Sequence, residues 1–258
     1  MAAPACGQDD WRRCTCWPLD AHAERLRVVV GEPAVEFEPA VETEIERVWA
    51  SRRASNPRIF DGPILAYRDL VGEEIRVSRD GFKRLAVHPE VETGVIQLGV
   101  TGVLLAPDAS GRAHVLFGKR SPQTRVYGDL WELAPSGGVD PPPTTQRELD
   151  EADLWRALRV EILEELGLPG EPDPARPRLL CLDPIGPSFE VVIAVQLDRT
   201  VEELVSMISP GGQGEGSSRW EYTDLRWVAC EELAEFDGLM GAALIPPTRA
   251  MLRGLGLV

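Results

Sequence analysis

The stretch DEADLWRALRVEILEELGL, Asp150 to Leu168, governs the reading of the chain. Trp155, Leu158, Ile162 and Leu166 recur at helical spacing and predict an amphipathic helix. Asp150 stands where an N-cap belongs, with Asp153 three residues on as its capping-box partner. Gly167 falls where a helix C-terminus takes glycine, and Pro169 forbids continuation. Glu161, Glu164 and Glu165 occupy one wedge of this helix, beside the apolar stripe rather than within it. Three carboxylates so close repel one another unless a cation sits among them. Hard oxygen donors at this density suit Mg²⁺ or Mn²⁺, and such an ion can bind phosphate oxygens and lower the pKa of an attacking water. Taken alone, the same residues also fit a solvated acidic helix face.

Leading into this helix, Trp131-Glu132-Leu133-Ala134-Pro135 runs to Ser136-Gly137-Gly138, and Pro141, Pro142 and Pro143 open a polar stretch to Leu149. Val95–Leu105 and His114–Lys119 are β-type runs joined by turn residues at Pro107–Gly111. Downstream, Leu179–Leu182, Phe189–Leu197 and Leu225–Ala229 predict strands. A Gly/Ser-rich loop spans Pro210–Ser218, and a final helical pattern runs through Glu231 and later residues. Toward the N-terminus, Leu26–Val30 is a short β-type run. Pro39–Arg53 predicts a helix stopped by Asn56-Pro57. Ile64–Leu70 and Glu74–Ser78 predict a hairpin. The expected organisation is a loose tail over 1–20, an N-terminal β/α extension over 21–93 and a main domain over 94–258, with no internal repeat.

The run Glu161-Ile162-Leu163-Glu164-Glu165-Leu166-Gly167-Leu168 resembles the second half of the Nudix box, E-U-x-E-E-x-G-U with U aliphatic, at every defined position. Trp131 to Gly138 is similar to the strand and glycine turn that enter that box, and the resemblance extends over Val95 to Val258. It implies an α+β Nudix fold, a mixed β-sheet packed between helices, carrying the N-terminal β/α extension. It also implies a Mg²⁺- or Mn²⁺-dependent pyrophosphohydrolase with Glu161, Glu164, Glu165 and the Gly138 carbonyl as metal ligands. Two positions depart from the pattern. Val160 stands where the box has an arginine that buttresses the catalytic loop, with Arg159 one place early. The Pro141–Leu149 region is an insertion, so no glutamate keeps the usual distance from Gly138; Glu148 and Glu151 are the residues near enough to replace it.

An inserted, arginine-less box resembles the UDP-glucose diphosphatase-like branch, and Asn56-Pro57-Arg58-Ile59-Phe60-Asp61-Gly62-Pro63 is similar to that branch's motif ahead of the box. A helix stop and turn explain the same residues equally well. The branch implies cleavage of a UDP-sugar to UMP and a sugar 1-phosphate. The family also uses a glutamate after the box, for which Glu221 is favoured over Glu215. Trp220 and Tyr222 are the aromatic candidates for stacking on a uracil ring, and Arg120 and Arg125 the candidates for phosphate contact. Two rivals stand beside this reading: a catalytically weak nucleotide-sugar sensor, favoured by Val160, and an isoprenyl-diphosphate isomerase-like enzyme. The latter needs a catalytic cysteine, and Cys181 and Cys230 both lie outside the region expected for it.

The 42 acidic residues outnumber the 27 basic ones for a net charge of −15, which disfavours a nucleic-acid partner that needs phosphate neutralised. The partner expected is a small nucleoside diphosphate derivative, with a homodimer left open. Five cysteines, an odd number in a long chain, argue against a disulfide framework, and Cys6, Cys14 and Cys16 read as reduced thiols. No apolar run approaches a membrane span or signal sequence, so the expected location is cytoplasmic with no membrane contact.

Overall fold

The computed structural model describes residues 9–20, 25–32, 34–57, 59–168, 175–208, 221–240 and 243–258. Residues 9–20 of the stretch expected as a loose tail are among those described. Asp10–Arg13 makes one 3-10 turn, and Thr15–Pro18 forms strand β1. After β2 (Arg27–Glu32) comes helix α1 (Pro39–Ser55), which begins on a proline whose missing N–H costs nothing there. It buries Ile45, Val48 and Trp49. The hairpin β3 (Pro63–Val71) and β4 (Glu74–Gly81) turns at Gly72, whose φ of 61° suits glycine. The short helix α2 (Phe82–Ala86) follows.

Next come β5 (Gln97–Pro107), β6 (Ala113–Arg120), β7 (Trp131–Leu133), β8 (Ser136–Gly138) and β9 (Glu148–Leu149). Helix α3 (Glu151–Leu166) then starts on the expected capping box. The Asp150 carboxylate accepts from the Ala152 and Asp153 amides at 2.9 and 3.0 Å, and Asp153 reaches back to the Asp150 amide. The helix ends on Gly167 at φ 66°. Strands β10 (Pro177–Asp183) and β11 (Ser188–Gln196) follow. Helix α4 (Val201–Met207) is a short element the sequence reading missed, although Thr200 and Glu203 form a capping box. Strand β12 (Tyr222–Ala229) and helices α5 (Leu233–Met240) and α6 (Pro246–Gly254) complete the described chain.

All these strands join one mixed sheet ordered β1-β10-β11-β5-β3-β4-β2-β9, with β8 on β5, and β6 linking β5 to β7 and β12. The β11–β5 and β2–β4 pairs are parallel and the others antiparallel. The sheet is continuous across residues 93 and 94, because Ala66 of β3 pairs with Gln97 of β5. Alternation along β5 divides its faces. Leu98, Val100, Leu104 and Ala106 enter the main core with Leu154, Trp155, Leu158, Ile162 and Leu166 of α3. Val103 points the other way, into a second core with Ala250, Met251 and Leu252 of α6. The architecture is the α+β one expected, a mixed sheet between helices. No helix among the described residues is long and apolar enough to cross a membrane.

Candidate active site

The three-residue strand β8 is the sill of a cleft of about 760 Å³. Gly137 pairs with Val100 and Gly138 with Gly99, so pleating turns Gly137 to the α3 side and Gly138 to the other. Glu161 of α3 lies directly on Gly137; a Cβ there would sit 2.1 Å from its Oε1. On the opposite face Glu190, whose neighbour across the parallel pair is Gly99, rests on that glycine. A Cβ at Gly99 would be 2.5 Å from Glu190 Oε2. Thr101 donates to the same oxygen at 3.0 Å. Missing side chains at positions 137 and 99 thus let two carboxylates lie flat on the sheet.

Glu165 sits one helical turn beyond Glu161, and here the sequence reading needs correction. It is only 3% exposed, within the buried stripe of α3 and not beside it, and accepts from the Ser136 amide at 3.2 Å. Its neighbour is Glu221, brought in where Tyr222 of β12 pairs with Arg120 of β6. Burial, then the charge of Glu221, pushes the Glu165 carboxyl well above the carboxylate range. The two side chains share a hydrogen bond that favours the proton on Glu165. Burial, then Glu221 and Glu164, raises Glu161 to about 7. Burial also raises Glu190 to about 7 and lifts Glu221 against the opposing pull of Arg120. Glu164 is exposed and lines the same cleft.

The donor set, several carboxylates crowded at one cleft with some of their charge suppressed, fits a hard divalent cation. As the side chains stand, no three His, Cys, Asp or Glu groups among the described residues converge to hold an ion. The Glu165–Glu221 hydrogen bond relieves their repulsion with a proton instead.

The remaining predicted residues divide. Gly138 lines the cleft, with Gln97 Nε2 close over its backbone. Arg120 lines it too, but its guanidinium is tied to buried Glu132 and, at 3.2 Å, to the Val126 carbonyl. Arg125 is different: its Nη1 is buried without a hydrogen-bond partner among the described residues. Burial and the charges of Arg120 and Arg52 push it down to about 10, so it keeps its charge at neutral pH. The loop carrying it is fixed by the Tyr127 hydroxyl, which donates to Asp183 at 2.7 Å. Tyr222 is not placed to stack on a ligand. Its ring is buried in the main core against Gly118. Trp220 and Glu215 lie outside the described residues. Glu148 and Glu151 do not reach the cleft; Glu151 binds the Leu26 amide and Arg176.

Sequence reasoning gave no role to Glu132, Asp140 or Glu190, all of which line the cleft. Glu190 had a signal, a lone acid within the apolar run Phe189–Leu197. No described cysteine lines the cleft. Cys16 stands opposite Cys181 in the β1–β10 pair instead, and Cys14, Cys16, Cys181 and Cys230 are free thiols.

No known family profile matches the chain, and no curated protein matches it. Among solved structures it is similar to a Nudix hydrolase from M. Smegmatis, with 19% identity over 61% of this chain and 82% of that one and a TM-score of 0.39. It is also similar to a Nudix hydrolase from Alicyclobacillus acidocaldarius, at 16% identity, 62% and 90% coverage and a TM-score of 0.42. A protein from Deinococcus radiodurans aligns at 17% identity, over 74% of this chain and 98% of that one, with a TM-score of 0.45.

Proposed function

We propose that the chain is a Nudix-type, Mg²⁺- or Mn²⁺-dependent hydrolase that cleaves a phosphoanhydride in a nucleoside diphosphate derivative, with a UDP-sugar as the favoured substrate. The observation that carries this is the meeting of Glu161, Glu165 and Glu221 in a cleft that also holds Arg125, whose Nη1 has no hydrogen-bond partner among the described residues. Carboxylates alone would repel a diphosphate, and an arginine alone would bind it without activating water. The combination suits an anionic substrate attacked by water.

Glu161, Glu164, Glu165 and the Gly138 carbonyl would hold a divalent cation, which, taking the place of the Glu165 proton, would supply Lewis acidity. The protein's own part is positioning and proton transfer. The Ser136 amide fixes one oxygen of Glu165. Of the Glu165–Glu221 pair, the unprotonated carboxylate at Glu221 accepts the proton of the attacking water. Arg125 offsets phosphate charge, and Arg120, tied to Glu132, sets its positive charge against Glu221.

Support for the sugar nucleotide comes from the resemblance of the inserted box and of Asn56–Pro63, a segment whose Ile59 and Phe60 line the same cleft. The test is a panel of UDP-, ADP- and GDP-sugars, dinucleoside polyphosphates, NADH and nucleoside triphosphates, each with Mg²⁺ and Mn²⁺. Products are resolved by chromatography. UMP and glucose 1-phosphate from UDP-glucose is the expected result, and metal-independent or absent hydrolysis across the panel overturns the proposal. A sensor is the second reading, because Val160, 48% exposed, puts an aliphatic group at the cleft where the box arginine would stand. Mg²⁺-dependent stabilisation by UDP-glucose without product would select it.

A further inference from the structure

Phe60 is the most exposed aromatic side chain in the cleft, at 74%, in a protein that buries most of its large apolar groups. Its ring is nevertheless held. Ring carbon Cε2 lies 2.7 Å from where a Cβ on Gly62 would stand, so one part of the ring rests against the glycine backbone. The backbone beneath is pinned on both sides. The Ile59 amide donates to the Asn56 carbonyl at 3.3 Å, and the Gly62 carbonyl accepts from the Phe82 amide at 2.8 Å. Between them the Asp61 carboxylate accepts from the Lys83 amide at 2.9 Å. A ring resting on its own pinned turn, yet open to the cleft, is a platform.

What the platform faces is defined by its neighbours. Arg52 and Arg125 line the same cleft, and each has a buried guanidinium nitrogen without a hydrogen-bond partner among the described residues, Nε of Arg52 and Nη1 of Arg125. Arg52 also holds the His88 carbonyl at 2.9 Å and the Glu90 carboxylate, so its position is fixed. A flat apolar face beside two constrained cations calls for a ligand with a π-face next to strong negative charge. A nucleotide has both. A long aliphatic chain would leave the two guanidinium groups and the carboxylates of this cleft without partners.

We infer that Asn56, Ile59 and Phe60 form the nucleobase subsite of the cleft, with Phe60 stacking on the base and Arg52 joining Arg125 at the phosphate. The inference deepens the proposed hydrolase, and Phe60 takes the role that the sequence suggested for Tyr222. Because stacking is tolerant of base identity, Phe60 sets the preference for nucleosides over other diphosphates and leaves the choice among bases to other groups.

The test uses the full chain, its Phe60→Ala and Phe60→Trp variants, and two probes: UDP-glucose with Mg²⁺ for turnover, and UMP for equilibrium binding by calorimetry. Isopentenyl diphosphate serves as the diphosphate without a base. F60A is expected to raise KM for UDP-glucose and Kd for UMP about tenfold or more, with kcat changed less than threefold, while F60W stays near wild type. Binding of isopentenyl diphosphate is expected to be unaffected. Equal weakening toward all three compounds, or no weakening by F60A, overturns the subsite. Should the wild type cleave nothing, the hydrolase proposal fails. UMP binding then decides the subsite: loss in F60A with rescue in F60W supports it, and unchanged or absent UMP binding overturns it. A misfolded F60A, revealed by circular dichroism, is replaced by Phe60→Leu, which keeps apolar bulk and loses the ring face.

Discussion

Glu165 is a buried acid placed against another acid, and its surroundings oppose a charge on both. A group kept in such a position is costly unless it works. Glu165→Gln preserves the side chain's shape and its acceptor for the Ser136 amide while removing the proton exchange with Glu221. Turnover of the preferred substrate is expected to fall at least a hundredfold, with the denaturant midpoint unchanged or raised. Steady-state rates alongside urea unfolding check this, and wild-type turnover would remove the helix from the site. Glu190 predicts a pH effect. Its folded pKa, about 7, lies above the ordinary 4.5 of a free glutamate, so between those values the folded state binds more protons than the unfolded one. The stability it confers is complete below the unfolded pKa and is lost as pH rises through 7. Unfolding free energy without metal should therefore decline from pH 5 to pH 8, and Glu190→Gln, which can still accept from Thr101, should flatten that decline. An unaltered slope in the variant would refute the assignment.

Elements were legible where one short pattern contained its own boundary chemistry. Helix α3 is the clearest case, because its stripe, its Asp150 cap and its terminal Gly167 are all local facts. Asp150→Ala is expected to cost about 1 kcal/mol of stability with kcat unchanged, since the cap lies far along the helix from Glu161. Gly137→Ala should do the reverse. Alanine suits a strand, but its methyl occupies the place of the Glu161 carboxylate, so activity falls while stability holds. Thermal melts and initial rates on the two variants separate the effects; a large stability loss in G137A with activity intact would show that Glu161 does not need that seat. The burial of Glu165 was not legible, since helical angle places it near the stripe's edge and only packing against β8 decides which side it falls. Tyr222 misled for a similar reason: an aromatic next to a candidate glutamate on a strand points to the opposite face, and that face is the core. Strand β1 was hidden because Thr15–Pro18 has no β-pattern of its own and borrows its order from β10.

At the scale of the whole molecule, sequence composition suggested a boundary at 93/94, and the sheet runs through it. β2 pairs with β4 on one side and with β9, just ahead of α3, on the other, so the N-terminal strands reach the helix that carries the glutamates. The main core draws Leu26, Val28, Val30, Leu65, Ile75 and Val77 from before residue 93 and Leu98, Val100 and the α3 stripe from after it. Removing residues 1–93 would bare that shared surface, and each large apolar side chain uncovered forgoes roughly 1.5–3 kcal/mol of burial. A few such losses already fall within the roughly 5–15 kcal/mol that holds an ordinary domain folded. The full chain is therefore expected to unfold in one cooperative transition, and the 94–258 fragment to show no thermal transition of its own. Two separated calorimetric peaks for the full chain, or a fragment that melts cooperatively, would mean that the extension is an independent unit resting on the hydrolase core. A single transition would instead bind the Phe60 wall and the α3 carboxylates into one folding unit.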